Sequence, residues 1–116
     1  KSVSVEQTFA EDVIGPQDWA PIIERLYVSL MERIEAAKAW ELIDKAFVKL
    51  KFNDFTTTTV ERVGTKAVES DYRKLLVEGW ERQKRPVRLI GLGVRLIERD
   101  ERASASLPFM ESVDGG

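Results

Sequence analysis

Three stretches of this chain alternate between apolar and polar side chains, and this period of two limits the folds open to it. In residues 2–9 two valines and Phe9 share one face, while serine, glutamate and threonine share the other. Residues 46–55 and 87–98 repeat the pattern. Because successive side chains of a strand point to opposite faces, each stretch predicts a strand with one buried face.

Apolar side chains recur at helical spacing in two places, and both places predict amphipathic helices. The first helix is expected over residues 18–37 with Asp18 as its N-cap. The second is expected over residues 70–84 with Ser70 as its N-cap. Residues 38–45 fit either an extension of the first helix or a connection.

A β-branched run at residues 56–63 follows an Asn-Asp turn signal, so residues 46–63 predict a hairpin. The element order is β-α-β-β-α-β, and the predicted fold class is α+β. This order builds a split βαβ sandwich, in which a four-stranded antiparallel sheet carries two helices on one face and leaves the other face open. We expect residues 1–98 to form this domain and residues 99–116 to form a flexible C-terminal tail.

The composition excludes several classes of chemistry. The 116 residues include no cysteine and no histidine, which removes disulfides, thiol nucleophiles, structural zinc sites and His-dependent triads. No apolar run approaches the ~18 residues of a membrane-spanning helix. The acidic pairs lie in turns or the tail and do not converge as two-metal chemistry requires. We therefore expect no catalytic residues, no metal ligands and no membrane contact. The chain begins at Lys1 without a signal-like segment, and we expect it to be a cytoplasmic piece of a longer protein.

The side chains of outward parity define the expected chemistry of the open sheet face. They are short hydroxyls, cations and glycines, which suit contact with phosphates because they supply donors or let a backbone approach closely. The residues concerned are Ser2, Ser4, Thr8, Lys49, Lys51, several of Thr56–Thr59, Gly91, Gly93 and Arg95. A merely solvated sheet face has a similar composition, so from the residues alone both interpretations stay open.

The charge distribution favours a polyanion at one part of the chain. The net charge is −2, but residues 82–102 hold seven basic side chains against three acidic ones, which is +4, while the remainder is −6. Phe47 and Phe55 have outward parity but are expected at strand ends. Modules that stack splayed RNA bases need aromatic rings in the middle of the sheet, so the face suits a duplex backbone better.

The tail contains two spaced apolar side chains. Leu107 and Phe109 flank Pro108 within the polar segment that begins at Ser104. Extended peptides bind in grooves through apolar side chains spaced in this way. A frayed terminus with two stray hydrophobic residues is the alternative.

Four stretches, at residues 1–12, 22–27, 48–55 and 88–96, resemble one family in their order and spacing. They are similar to the little-finger domain of bacterial Y-family DNA polymerases of the DNA polymerase IV type, and the resemblance covers nearly the whole chain. It implies an accessory DNA-binding domain of an error-prone translesion polymerase, not an enzyme on its own. The catalytic palm, and the magnesium it uses, would lie outside this chain, and this domain would need no cofactor.

The resemblance also implies contact residues and partners. By position, the DNA contacts come from the first, second and last strands. They are Ser2, Ser4, Lys49, Lys51, Arg88, Gly91, Gly93 and Arg95, with Gly93 acting through its backbone. The implied partners of a monomeric domain are duplex DNA, the bacterial sliding clamp, and the palm, fingers and thumb of the same polymerase.

The family's tail carries a peptide that binds the sliding clamp, and the segment of Ser104, Leu107, Pro108 and Phe109 resembles it. Ser104 stands where that peptide has glutamine, so the resemblance implies weaker clamp binding. Two other functions stay open. One is a protein-interaction module that contacts DNA only within the full polymerase, and the other is a stand-alone RNA-binding module of the same topology.

Overall fold

The computed structural model describes residues 1–13, 15–64 and 66–97. In chain order the elements are β1 (Ser2–Val13), α1 (Pro16–Ala37), a 3-10 turn (Trp40–Leu42), β2 (Ile43–Phe52), β3 (Thr57–Val63), α2 (Glu69–Glu81) and β4 (Val87–Leu96). The predicted order β-α-β-β-α-β and the predicted hairpin are therefore confirmed. The candidate peptide of Ser104, Leu107, Pro108 and Phe109 lies outside the described residues.

The four strands form one sheet in the order β1-β4-β2-β3, and all neighbouring strands are antiparallel. β4 lies between β1 and β2, so that Ser2 pairs with Arg95 on one side and Lys49 pairs with Gly91 on the other. β2 in turn lies between β4 and β3. Each β-α-β unit is thus split by one inserted strand, and the predicted α+β sandwich is confirmed.

Both helices pack on the same face of the sheet and form the core with it. α1 packs mainly against β1, and α2 packs against β2 and β3. The buried side chains with no exposed surface include Ile23, Leu30, Ile34, Val48, Leu50, Leu76, Ile90 and Leu92. Burying one such aliphatic side chain stabilises a fold by ~1.5–3 kcal/mol. Neither α1 nor α2, the two helices of the described residues, combines the length and apolar character that a membrane span requires.

Tyr72 brings a hydroxyl group into this core. Its side chain is fully buried, and its hydroxyl donates a hydrogen bond of 2.8 Å to the carbonyl oxygen of Gly93. Burial raises the pKa of Tyr72, so the phenol remains protonated and able to donate. This bond ties α2 to the centre of the sheet.

The start of α1 differs from the sequence prediction. Gly15 is the N-cap and Pro16 is the first helical residue, a position for which the fixed φ of proline is suited. Asp18 is therefore not the N-cap but the third residue of the helix. Its carboxylate accepts a hydrogen bond of 3.3 Å from the Gly15 amide, and its own amide donates to the Gly15 carbonyl oxygen at 2.9 Å.

The structure also corrects the predicted start of α2 and decides between the two alternatives for residues 38–45. α2 begins at Glu69, so Ser70 lies inside the first turn and is not its N-cap. Residues 38–45 contain a connection rather than an extension of α1. Lys38 ends the helix with a φ of 52°, and β2 begins at Ile43 after the 3-10 turn.

Candidate nucleic-acid interface

The sheet face opposite the helices carries four rows of four residues, and we call it the open face. The antiparallel register places one residue of each strand in each row. In the order β1, β4, β2, β3, the rows are Ser2, Arg95, Lys45 and Val63; Ser4, Gly93, Phe47 and Glu61; Glu6, Gly91, Lys49 and Thr59; and Thr8, Leu89, Lys51 and Thr57. The predicted parity of the strands is confirmed. Of the residues predicted to contact DNA, only Arg88 lies outside the four rows.

Arg88 lies at the hairpin end of the open face, just beyond the last row. Val87 pairs with Phe52 and Leu89 pairs with Lys51, so Arg88 is the extra residue of a β-bulge. Its guanidinium carbon lies 4.5 Å from the centroid of the Phe55 ring. The bulge thus brings this predicted contact residue to the tip of the β2–β3 hairpin.

An aromatic ring fills the middle of the second row. The prediction that Phe47 lies at a strand end is wrong, because β2 begins at Ile43 and Phe47 is the fifth of its ten residues. A Cβ atom added to Gly93 would lie only 2.4 Å from Cζ of Phe47. Gly93 therefore makes room for the ring. The ring lies beside this position, and a phosphate contact through the Gly93 backbone stays a prediction.

Two cations of the open face share one carboxylate. The Nε of Arg95 donates a hydrogen bond to Oε2 of Glu61, and Nζ of Lys45 lies 3.7 Å from Oε1 of the same side chain. The guanidinium carbon of Arg95 also lies 4.6 Å from the centroid of the Phe47 ring. The hydrogen bond from Arg95 holds the pKa of Glu61 below its usual range. An ionised carboxylate thus already occupies the space between these two cations at neutral pH.

Sequence reasoning did not find Lys45, Glu61 or the position of Phe47. β2 was expected to begin at residue 46, which left Lys45 in a segment of uncertain structure. Glu61 has the same parity as Thr57 and Thr59 in β3, and that alternation was the signal for it.

The third and fourth rows carry cations without a carboxylate partner. Lys49 and Lys51 make no ion pair within the part of the chain that the structure describes. Glu6 shares the third row with Lys49 but is separated from it by Gly91. Hydroxyl groups surround the two lysines at Thr8, Thr57 and Thr59. This half of the open face therefore combines unneutralised positive charge with hydroxyl donors.

The link between α2 and β4 adds further positive charge at the hairpin end. Arg82 donates to Oγ1 of Thr58 at 2.6 Å, and Nε of Arg85 lies 3.6 Å from Oδ2 of Asp54. Lys84 forms an exposed ion pair with Glu81 at 3.3 Å. The basic part of the sequence is thus held against the β2–β3 turn.

The β2–β3 turn holds Phe55 in a left-handed conformation. The Phe55 amide donates to the Phe52 carbonyl, and the Phe52 amide donates to the Thr56 carbonyl, both at 2.9 Å. These bonds define a three-residue loop whose last residue is usually glycine. Phe55 has a φ of 69° there, which costs an L side chain ~1–2 kcal/mol. Its side chain is 64% exposed, so burial offsets little of that cost.

The described residues contain no arrangement suited to a metal ion. No group of three or more His, Cys, Asp or Glu side chains is close enough to hold one in residues 1–13, 15–64 and 66–97. What these residues do assemble is a sheet face with hydroxyl, guanidinium and ammonium donors.

Curated proteins that are similar to this chain include two named DNA polymerase IV. DNA polymerase IV of Ralstonia nicotianae is 43% identical over 116 residues, which are 100% of this chain and 32% of that protein. DNA polymerase IV of Protochlamydia amoebophila is 45% identical over 102 residues, which are 87% of this chain and 29% of that protein. The chain therefore spans about a third of the length of these curated relatives.

Solved structures show the same fold. The complex of beta-clamp processivity factor and little finger domain of PolIV contains a chain with a TM-score of 0.79 and 37% identity, covering 97% of this chain and 96% of that chain. The insertion ternary complex of Dbh DNA polymerase has a TM-score of 0.68 at 14% identity, covers 84% of this chain and 28% of that chain, and supports the fold alone.

Residues 1–107 match the family described as the impB/mucB/samB family C-terminal domain. This match, together with the relatives named DNA polymerase IV and the shared fold, confirms the resemblance that the four sequence stretches indicated. The chain belongs to the impB/mucB/samB family C-terminal domain, and it is similar over nearly its whole length to the little-finger domain of DNA polymerase IV.

Proposed function

We propose that this chain is the accessory DNA-binding domain of a translesion DNA polymerase and that its open face holds duplex DNA through the backbone phosphates. The observation that supports this most is the pair of lysines, Lys49 and Lys51, which have no carboxylate partner in the described residues and lie among threonine hydroxyls. Lysine and threonine contact phosphate oxygens and fix a protein's position on a duplex without reading its sequence.

The proposed contact residues follow the rows of the open face and its hairpin end. They are Ser2, Ser4, Thr8, Lys49, Lys51, Arg88, Gly91 and Arg95. Lys45 joins this set because it lies beside Arg95 in the first row. Gly93 also stays in this set, with its backbone as the contact group beside the Phe47 ring.

The relatives supply the proposed setting of this domain. They are about three times as long as this chain and are named DNA polymerase IV. We infer that catalysis and its magnesium belong to the rest of such a polymerase, and that this domain adds grip on the primer-template. We also propose the sliding clamp as a partner, since the little finger domain of PolIV has been solved in complex with beta-clamp. Ser104, Leu107, Pro108 and Phe109 stay the proposed docking peptide.

An amide chemical-shift titration with a short DNA duplex tests the proposal. We expect shifts at residues 2–8, 45–51 and 88–95 that fade as salt rises. The logarithm of the binding constant should fall with a slope of ~0.9 per neutralised phosphate, because each contact releases condensed counterions. A face that stays silent at low salt would contradict the proposal and favour a protein-interaction module. A preference for single-stranded RNA over the duplex would favour an RNA-binding module.

Replacing Glu61 should tighten binding. Glu61 occupies the space between Arg95 and Lys45 that a phosphate would take, so the two anions compete for the same cations. We expect Glu61→Gln to raise duplex affinity ~3- to 10-fold, as removal of a competing close charge should. Fluorescence anisotropy at fixed ionic strength measures this change.

Two controls separate local competition from a general change of charge. Glu78→Gln removes the same charge from an exposed position on α2, away from the open face. Its effect should be much smaller, and the gain from Glu61→Gln should largely disappear in an Arg95→Ala background. Equal gains from Glu61→Gln and Glu78→Gln would show that Glu61 is not a competitor.

A further inference from the structure

We propose that Phe55 and Arg88 form a stacking site for an unpaired nucleobase at the hairpin end of the open face. The site would take single-stranded DNA that continues from a duplex on that face. The inference rests on the proposed function, because the duplex on the open face would bring the single strand to this site. Base stacking at the site is a different interaction from the phosphate contacts of the open face.

The left-handed backbone conformation of Phe55 indicates that its side chain has a role other than stabilising the fold. The turn requires a left-handed residue at this position, and glycine adopts that conformation without steric cost. A phenylalanine is present instead, and most of its ring remains in solvent. Strained residues that gain little from burial are characteristic of functional positions. The ring is therefore best explained by a ligand.

The surroundings of the ring match the chemistry of nucleobase binding. Unpaired bases stack on aromatic rings and on guanidinium planes, and the guanidinium carbon of Arg88 lies 4.5 Å from the centroid of the Phe55 ring. Arg82, in the link between α2 and β4, makes no ion pair in the described residues, and with Arg88 it can contact the phosphates of a strand that passes the tip.

Phe47, the other aromatic side chain of the open face, does not offer such a surface. It is 9% exposed, whereas Phe55 is 64% exposed beyond the last row. Lys51 in that last row lies next to the hairpin end, so the duplex face and the tip are continuous. A strand that leaves the duplex at this end therefore meets Phe55 first.

Three DNA probes separate stacking from phosphate contact. The first is a short blunt duplex, the second carries a single-stranded extension, and the third carries an abasic extension of equal length. We expect the wild-type chain to bind the second probe ~5-fold more tightly than the third, because stacking needs a base. Phe55→Gly should abolish this difference and leave affinity for the blunt duplex unchanged. Phe55→Trp should retain the difference.

The same variants show which idea fails. If Phe55→Gly keeps the preference for bases, the stacking site is overturned. If the wild-type chain does not bind the blunt duplex, the proposed function fails. Binding of a free single-stranded oligonucleotide by the same variants then tests the role of Phe55 directly. Phe55→Gly should also unfold at or above the wild-type temperature, because glycine relieves the strain. A clear drop in that temperature would overturn the inference, since the ring would then have a structural role.

Discussion

Gly93→Ala should lower the free energy of unfolding by ~2 kcal/mol, which is a typical cost of overpacking. A Cβ atom at this position would meet Cζ and Cε2 of the Phe47 ring at 2.4 Å and 2.6 Å and Cβ of Ser4 at 2.8 Å. β4 is a central strand paired on both sides, so its backbone has little freedom to move away. The ring must therefore swing out, and it loses both its burial and its contact with Arg95. Denaturant unfolding followed by circular dichroism measures the loss.

Gly91→Ala is the matched control for this substitution. It lies two residues away on the same strand and the same face, and its added Cβ would meet Glu6 and Lys49 at ordinary distances of 3.4 Å and 3.6 Å. We expect a change within ~0.5 kcal/mol, of either sign, because alanine also reduces the freedom of the unfolded chain. Equal costs at the two glycines would contradict the account of the Phe47 ring.

The double variant Lys49→Glu with Lys51→Glu reverses the charge of the two open-face lysines that make no ion pair in the described residues. It should weaken duplex binding ~100-fold, since two phosphate contacts become repulsions. The salt slope should fall by ~2, because two fewer phosphates are neutralised. Both side chains are partly exposed and point away from the core, so the fold should tolerate the change. Anisotropy titrations over a range of salt concentrations give both quantities.

The control carries the same change of net charge on another surface. Lys66→Glu with Lys74→Glu alters two exposed lysines, one before α2 and one on it. We expect its effect on affinity to be within ~5-fold, because charges farther than a Debye length from the phosphates are largely screened. Similar losses in the two double variants would mean that net charge, and not the open face, controls binding.

The strand periodicities were enough to predict the element order and the composition of the open face, but a bulge in β2 hid part of that face. Ile43 pairs with Leu96 and Lys45 pairs with Arg95, so β2 has an extra residue at Asp44. This insertion puts Ile43 in the core and Lys45 on the open face, although their spacing of two predicts the same face. The alternation therefore fails at that point, and Lys45 could not be placed from sequence.

The role of Gly93 was also beyond sequence reasoning. Its explanation is Phe47, which lies 46 positions away in the chain and is its direct neighbour only because β2 pairs with β4. Strand order and register decide such a contact, and a single sequence carries no direct record of either. Lys49 and Lys51 were easier, since their alternation with buried neighbours is uninterrupted.

The position of β4 has a consequence for how the domain is made. It is the last strand of the described residues, yet it is the only strand of the described sheet that pairs with β1, so Ser2 has no strand partner until Arg95 is present. Contacts at such sequence separation make folding slow. During synthesis, β1, the longest strand of the described chain, stays unpaired until residues 87–96 have left the ribosome. A nascent chain with an unpaired strand is prone to aggregate, so we expect this domain to be most exposed to aggregation before β4 has been synthesised.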